Sequence, residues 1–246
     1  MRRGDSRQQG NQVFWMVAAA PMAGWLLFCL GYFWHPMTAA PGSHIRALIL
    51  SLLPIALVVA ARIGFVKQSE LRARISRWLE DHTDAIDAIP DARLGIWIAV
   101  AAGLGLYGEL MIIRLHASFF QLFAYFKNVS LLSCFLGLGI GYALGPKRPL
   151  TTPLFLPGLA TQVACLHFLR FGTMAPYLQN PISEQLTFGM AQADRIGHIV
   201  AVFGFVILVF AMNAVCFVPA GHLVARLMAR RQKLASYSWN LVGSLL

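Results

Sequence analysis

Hydrophobic positions in this chain gather into long unbroken runs rather than alternating or one-sided stripes. The clearest cover residues 13–34, 94–113, 150–169 and 196–225. Two more, 47–66 and 128–145, are shorter or bounded by cations, and Arg62 lies inside the first of them. A hydrocarbon core about 30 Å thick takes roughly 20 helical residues to cross. In lipid the backbone must satisfy itself within a helix or a closed barrel, and runs that do not alternate exclude the barrel. The pattern predicts an all-α fold, a polytopic transmembrane helical bundle of six spans. A last apolar run at 234–246 is too short to cross comfortably and predicts a truncated or re-entrant seventh helix.

Breaks between the runs set the organisation. Residues 1–12 are a polar, basic tail, and helix one near 13–34 ends in Tyr32, Phe33 and Trp34, an aromatic group suited to a membrane interface. Its apolar core is longer than that of a signal peptide, so it is read as a retained helix. Pro36, Pro41 and Gly42 break the chain before helix two at 46–66, where Pro54 predicts a kink. Residues 67–93 are the only long hydrophilic stretch. Leu71, Ile75, Trp78 and Leu79 recur there at helical spacing, which predicts a short amphipathic helix on the membrane face ending near Pro90. Such a helix is either a docking surface for a soluble partner or a solvated linker, the commoner role. Helix three is expected at 94–114, an aromatic crossing at 115–127, helix four at 128–145, helix five at 150–170 and helix six at 196–222. Two regions follow: 1–93, with the tail, two transmembrane helices and the amphipathic linker, and 94–246, the membrane core.

Composition agrees with that solvent. The 246 residues are 58% hydrophobic and 12% charged, against about 25% charged in soluble domains. The net charge of +10 would fit a nucleic-acid binder, but its distribution follows topology. With the N-terminus cytoplasmic, only Arg46, Arg114, Lys127, Arg170 and Arg195 of the 20 Lys and Arg fall outside, as the positive-inside rule requires. The expected location is the cell membrane, multi-pass, with the lipid bilayer as partner and no nucleic acid. Cys29, Cys134, Cys165 and Cys216 all sit in apolar runs without ligand spacing and are read as packing residues. No metal or cofactor is expected.

Candidate chemistry is concentrated between Gly103 and Gly145. Glu109 and Arg114 lie in or at the edge of helix three, and Lys127 opens helix four. Ionisable groups at membrane depth are costly and mark a partnered or functional position. Glu109 either binds a cationic substrate or relays protons, or makes a structural ion pair. Arg114 stands about 140° around the helix from it, so their partners are expected on other helices. Gly137, Gly141 and Gly145 match close helix packing rather than a phosphate loop, because no strand precedes them. His167, Arg170, Asp194, Arg195 and His198 line an outer vestibule or sit at the interface, where arginines snorkel. His116 and His222 lack metal-ligand spacing. No serine-hydrolase elbow, zinc-protease helix or Walker loop is present, and the chain carries no catalytic motif.

Glu109-x4-Arg114, then Tyr125-Phe126-Lys127-Asn128, Leu131-Leu132 and the glycine repeat from Gly137 to Gly141 form a recognisable block, with Ser236 to Leu246 as a second motif. Together they resemble the membrane portion of spermidine synthase-like membrane proteins, over residues from about 94 to 246. In that family a transporter-like helical half precedes a soluble aminopropyltransferase-like domain. The resemblance implies a membrane fold and a module that anchors or feeds a cytoplasmic enzyme domain. It does not imply aminopropyl transfer by these residues, since the strand and Gly-rich loop of the soluble domain are not among them. Gly145-Pro146-Lys147-Arg148 takes the place of the basic inner turn of major-facilitator-like bundles but lacks its acidic residue. The rival expectation is a small-solute transporter with Glu109 and Arg114 on the path; a third is a fragment of a longer protein.

Overall fold

The computed structural model describes residues 19–30, 52, 56, 60, 63, 69–125, 127–145, 149–171 and 196–245. All regular structure among them is helical. In chain order the helices are α1 Ala19–Leu30, α2 Ser69–Asp87, α3 Asp91–Phe119, α4 Gln121–Tyr125, α5 Lys127–Leu144, α6 Phe155–Phe171, α7 Ile196–Ala229 and α8 Lys233–Leu245. A 3-10 turn, Thr152–Leu154, leads into α6. Four stretches are long and apolar enough to cross a membrane: Asp91–Phe119, Lys127–Leu144, Thr152–Arg170 and Ile199–Ala229. Of the expected helix one, 13–34, the described residues are those of α1, and 13–18 and 31–34 lie outside them. Most of helix two, the tail 1–12, the turn residues Lys147 and Arg148, and nearly all of the loop 171–195 lie outside the described residues.

The chain divides into two compact units. In the first, residues 1–64 with 176–212, α1 meets the opening part of α7 at glycines. A Cβ on Gly24 would collide with the backbone of Leu208 and Gly204, and one on Gly204 with that of Leu27 and Phe28. Small residues let helix backbones approach in lipid, where dispersion replaces the hydrophobic effect as the driving force. Phe28 is buried beside this crossing, its ring centroid 6.2 Å from that of Phe205.

In the second unit, residues 65–175 with 213–246, successive membrane helices reverse direction, as short connections require. Leu94 and Ile98 at the start of α3 pack with Val224 and Leu227 near the end of α7. Ile112 on α3 packs with Cys134 on α5, Leu159 on α6, and Cys216 and Phe217 on α7. Gly137 and Gly141 of α5 press on the backbone of Ala214 and Val218, so α5 and α7 run parallel and close. Gly145 plays a different part. Its φ of 49° ends α5 in the left-handed region, with its N–H on the Gly141 carbonyl at 3.3 Å. The expected crossing at 115–127 is more ordered than a loop: α3 continues to Phe119, α4 follows, and Phe120 and Phe123 are buried.

The short final run forms α8, which lies along the first half of α3. Gly95 faces Trp239, and Gly243 sits directly against the Ala99 backbone, so the two helices run in the same direction. Ser236 Oγ donates to the Met228 carbonyl at 3.2 Å and ties the start of α8 to the end of α7. At the same end α2 is held by polar contacts as well as by Ile86, which packs against the cluster of Leu94, Ile98, Val224 and Leu227. Arg226 grips Asp87 through two hydrogen bonds, 3.1 and 2.7 Å. Arg230 donates to the Ile86 carbonyl in the last turn of α2 at 3.0 Å and to the Ile89 carbonyl just past it at 2.7 Å, where the helix dipole favours a cation. Thr83, fully buried, accepts the Leu150 N–H at 2.8 Å. Trp78, on the face expected to lie on the membrane, is 52% exposed to the protein's surroundings.

Candidate functional site

Midway through the second unit, four membrane helices each contribute polar side chains to one buried network. They are His116 from α3, Ser130, Ser133 and Cys134 from α5, Gln162 from α6 and Asn213 from α7. These side chains bond to one another and to the Ser130 carbonyl.

The hydrogen bonds have a direction. The Gln162 amide nitrogen donates to His116 Nε2 at 3.0 Å and to Asn213 Oδ1 at 3.3 Å. His116 Nε2 is therefore an acceptor, the proton of the neutral ring is on Nδ1, and Nδ1 donates to Ser130 Oγ at 2.8 Å. The Asn213 amide nitrogen donates to Ser133 Oγ at 2.6 Å, to Cys134 Sγ at 3.1 Å and to the Ser130 carbonyl at 3.3 Å. Ser133 Oγ returns to the Ser130 carbonyl at 2.7 Å. Phe123 stacks obliquely near the His116 ring, centroids 5.2 Å apart, and closes the network on one side.

Glu109 lies two turns before His116 on the same face of α3, with Ile112 between them, and is 2% exposed. Its Oε1 is buried with no hydrogen-bond partner. Gln162 Oε1 is the second buried oxygen of the region without one. Ile112, one turn from Glu109 on α3, packs against Cys134, whose sulfur takes the Asn213 hydrogen bond. Buried polar atoms in folded proteins are nearly always paired, so two orphan acceptors in one region call for an explanation.

The three charged residues singled out from sequence are thus placed differently. Glu109 is interior, whereas Arg114 and Lys127 are exposed and neither pairs with it. Of the glycines, Gly137 and Gly141 lie between helices and Gly145 caps one. Arg170 donates to the Ser118 carbonyl at 3.1 Å and lies over the Phe119 ring, 5.5 Å from its centroid, so it closes the end of α3. Asp194, Arg195 and the His198 side chain lie outside the described residues. His222 faces Thr151, Nδ1 to Oγ1 3.3 Å, at the far end of the bundle from His116. Among the described residues no group of three or more His, Cys, Asp or Glu is placed to hold a metal ion. Gln162 and Asn213 were not anticipated, although an amide side chain inside an apolar span was the available signal. Set against protein-family models, curated proteins and solved structures, the chain matches none.

Proposed function

We propose that this chain is a multi-pass membrane protein in which a small solute passes between the helices of the second unit by way of Glu109. The observation that carries this reading is a carboxyl oxygen at membrane depth with no partner, beside a polar network drawn from four helices. A purely structural carboxylate in lipid would be paired, because leaving it unpaired costs several kcal/mol or about that. The exposed Arg114 takes no part in the path. The fuller arrangement belongs to the same proposal: spans 13–34 and 46–66 precede the four long helices, the N-terminus is cytoplasmic, and the protein resides in the cell membrane.

Access to the site tests the reading. Glu109→Cys is expected to react with a water-soluble methanethiosulfonate reagent in membranes well beyond the wild-type thiols treated in parallel. Labelling no greater than wild type would mean that no solute path reaches this position.

A second reading rests on α2. That helix is secured to the end of the bundle by Arg226 and Arg230 while Arg77 and Trp78 stay exposed. Such a platform suits a membrane module related to spermidine synthase-like membrane proteins, anchoring or feeding a cytoplasmic enzyme domain. Cross-linking from Arg77→Cys in native membranes should then capture an aminopropyltransferase-like domain; its absence from the cross-linked product counts against the module.

A further inference from the structure

The polar atoms around Glu109 are unevenly supplied. Every N–H of the network has an acceptor: the two of Gln162, the two of Asn213 and the Nδ1 hydrogen of His116. Only the Ser130 hydroxyl and the Cys134 thiol remain as donors, and both are weak holders of an anion. Against them stand two buried oxygens without partners, Glu109 Oε1 and Gln162 Oε1. The region therefore accepts hydrogen bonds and repels negative charge. Of the two cations nearest in sequence neither answers it, since Arg114 and Lys127 are exposed.

There is also room on the same face. Gly105 is buried one helical turn before Glu109, yet a Cβ there would meet nothing within 4 Å. Nothing in the protein fills the place where a side chain would stand.

Building on the solute-path reading above, we propose that the ligand of this site is a small monovalent cation bearing N–H donors, an alkylammonium, held by the Glu109 carboxylate. The carboxylate answers the charge, and an N–H of the guest satisfies Glu109 Oε1, which has no hydrogen-bond partner in the protein. A quaternary ammonium supplies charge without donors. A carboxylate guest supplies neither and meets Glu109 as a like charge.

The test uses the full chain in lipid nanodiscs, with thermal unfolding followed at equal ionic strength in four salts. These are methylammonium chloride, tetramethylammonium chloride, sodium chloride and sodium acetate. Binding to the folded state raises the midpoint by mass action, and methylammonium alone is expected to do so. Glu109→Gln should abolish that shift and Arg114→Gln should keep it. If Glu109→Gln does not yield folded protein, Glu109→Asp replaces it and should weaken the shift several-fold. The proposal is overturned by an equal shift from tetramethylammonium, sodium or acetate, by none from methylammonium, or by a full shift in the Glu109 variant. A site open to the thiol reagent but indifferent to methylammonium discards the ammonium and keeps the path, whereas a closed site discards the path itself.

Discussion

Asn213 is the residue on which the buried network turns. Its side-chain oxygen receives Gln162 from α6, while its nitrogen reaches three groups on α5. An asparagine at that position therefore fixes the rotation of α7 against both neighbours, which apolar packing alone leaves loosely specified. Interhelical hydrogen bonds in membrane proteins average about 0.6 kcal/mol and reach about 1.7. Asn213→Ala is expected to lose about 1–2 kcal/mol, because it removes several contacts at once and strands a Gln162 donor. Unfolding in mixed micelles measures this, with Ser118→Ala as an exposed control. A loss no larger than that of the control would show that the network does not hold the helices. None of this could be seen in hydropathy, since one amide among apolar neighbours hardly changes the mean of an 18-residue window. Glu109, by contrast, was visible at once because a carboxylate in such a run is rare. What its sequence position could not give was its lack of a partner, a property of three other helices.

At the scale of elements, two glycines one turn apart on α5 do different work from the one between them. A Cβ on Gly141 would collide with the Val218 carbonyl and the His222 nitrogen, whereas one on Gly139 meets nothing within 4 Å. Gly141→Ala should destabilise by about 1–3 kcal/mol through overpacking. Gly139→Ala should be neutral or stabilise by up to about 1 kcal/mol through helix propensity. Equal effects of the two, measured by the same unfolding method, would contradict the α5–α7 contact. Small residues four apart were readable as a packing signal, but which pair makes the contact depends on the face that α5 turns to α7. The amphipathic helix teaches the same lesson. Its existence and its end before Pro90 followed from spacing and a helix breaker, and α2 runs Ser69–Asp87. Its attachment did not follow, because it depends on Arg226 and Arg230, which lie far along the chain and could be assigned only to a basic membrane-side segment. Long apolar runs, in turn, set α3, α5, α6 and α7 to within a few residues at most ends. The extension of α3 to Phe119 past Arg114 and His116 was hidden by those polar residues, which a helix tolerates once His116 bonds inward and Arg170 covers the helix end.

For the second unit as a whole, four reversing helices must return the chain to the end where it entered. The bidentate Arg226–Asp87 pair and the Arg230 bonds to Ile86 and Ile89 show that the end of α7 and the start of α3 do meet. Lys127, between α4 and α5, belongs to the opposite end. Lys and Arg are abundant at the first end, with Arg74, Arg77, Arg93, Arg226, Arg230, Arg231 and Lys233 in sequence around it, and sparse at the other. By the positive-inside rule the α2 end is expected on the cytoplasmic side, which labelling tests. Lys127→Cys should react with a membrane-impermeant maleimide on intact cells, and Arg93→Cys, exposed at the start of α3, only after permeabilisation. The reverse pattern would keep the bundle and invert its orientation. Labelling of both from one side would mean that the chain does not cross between them, since a helix as apolar as α3 cannot carry its two ends to the same face of a bilayer without leaving it.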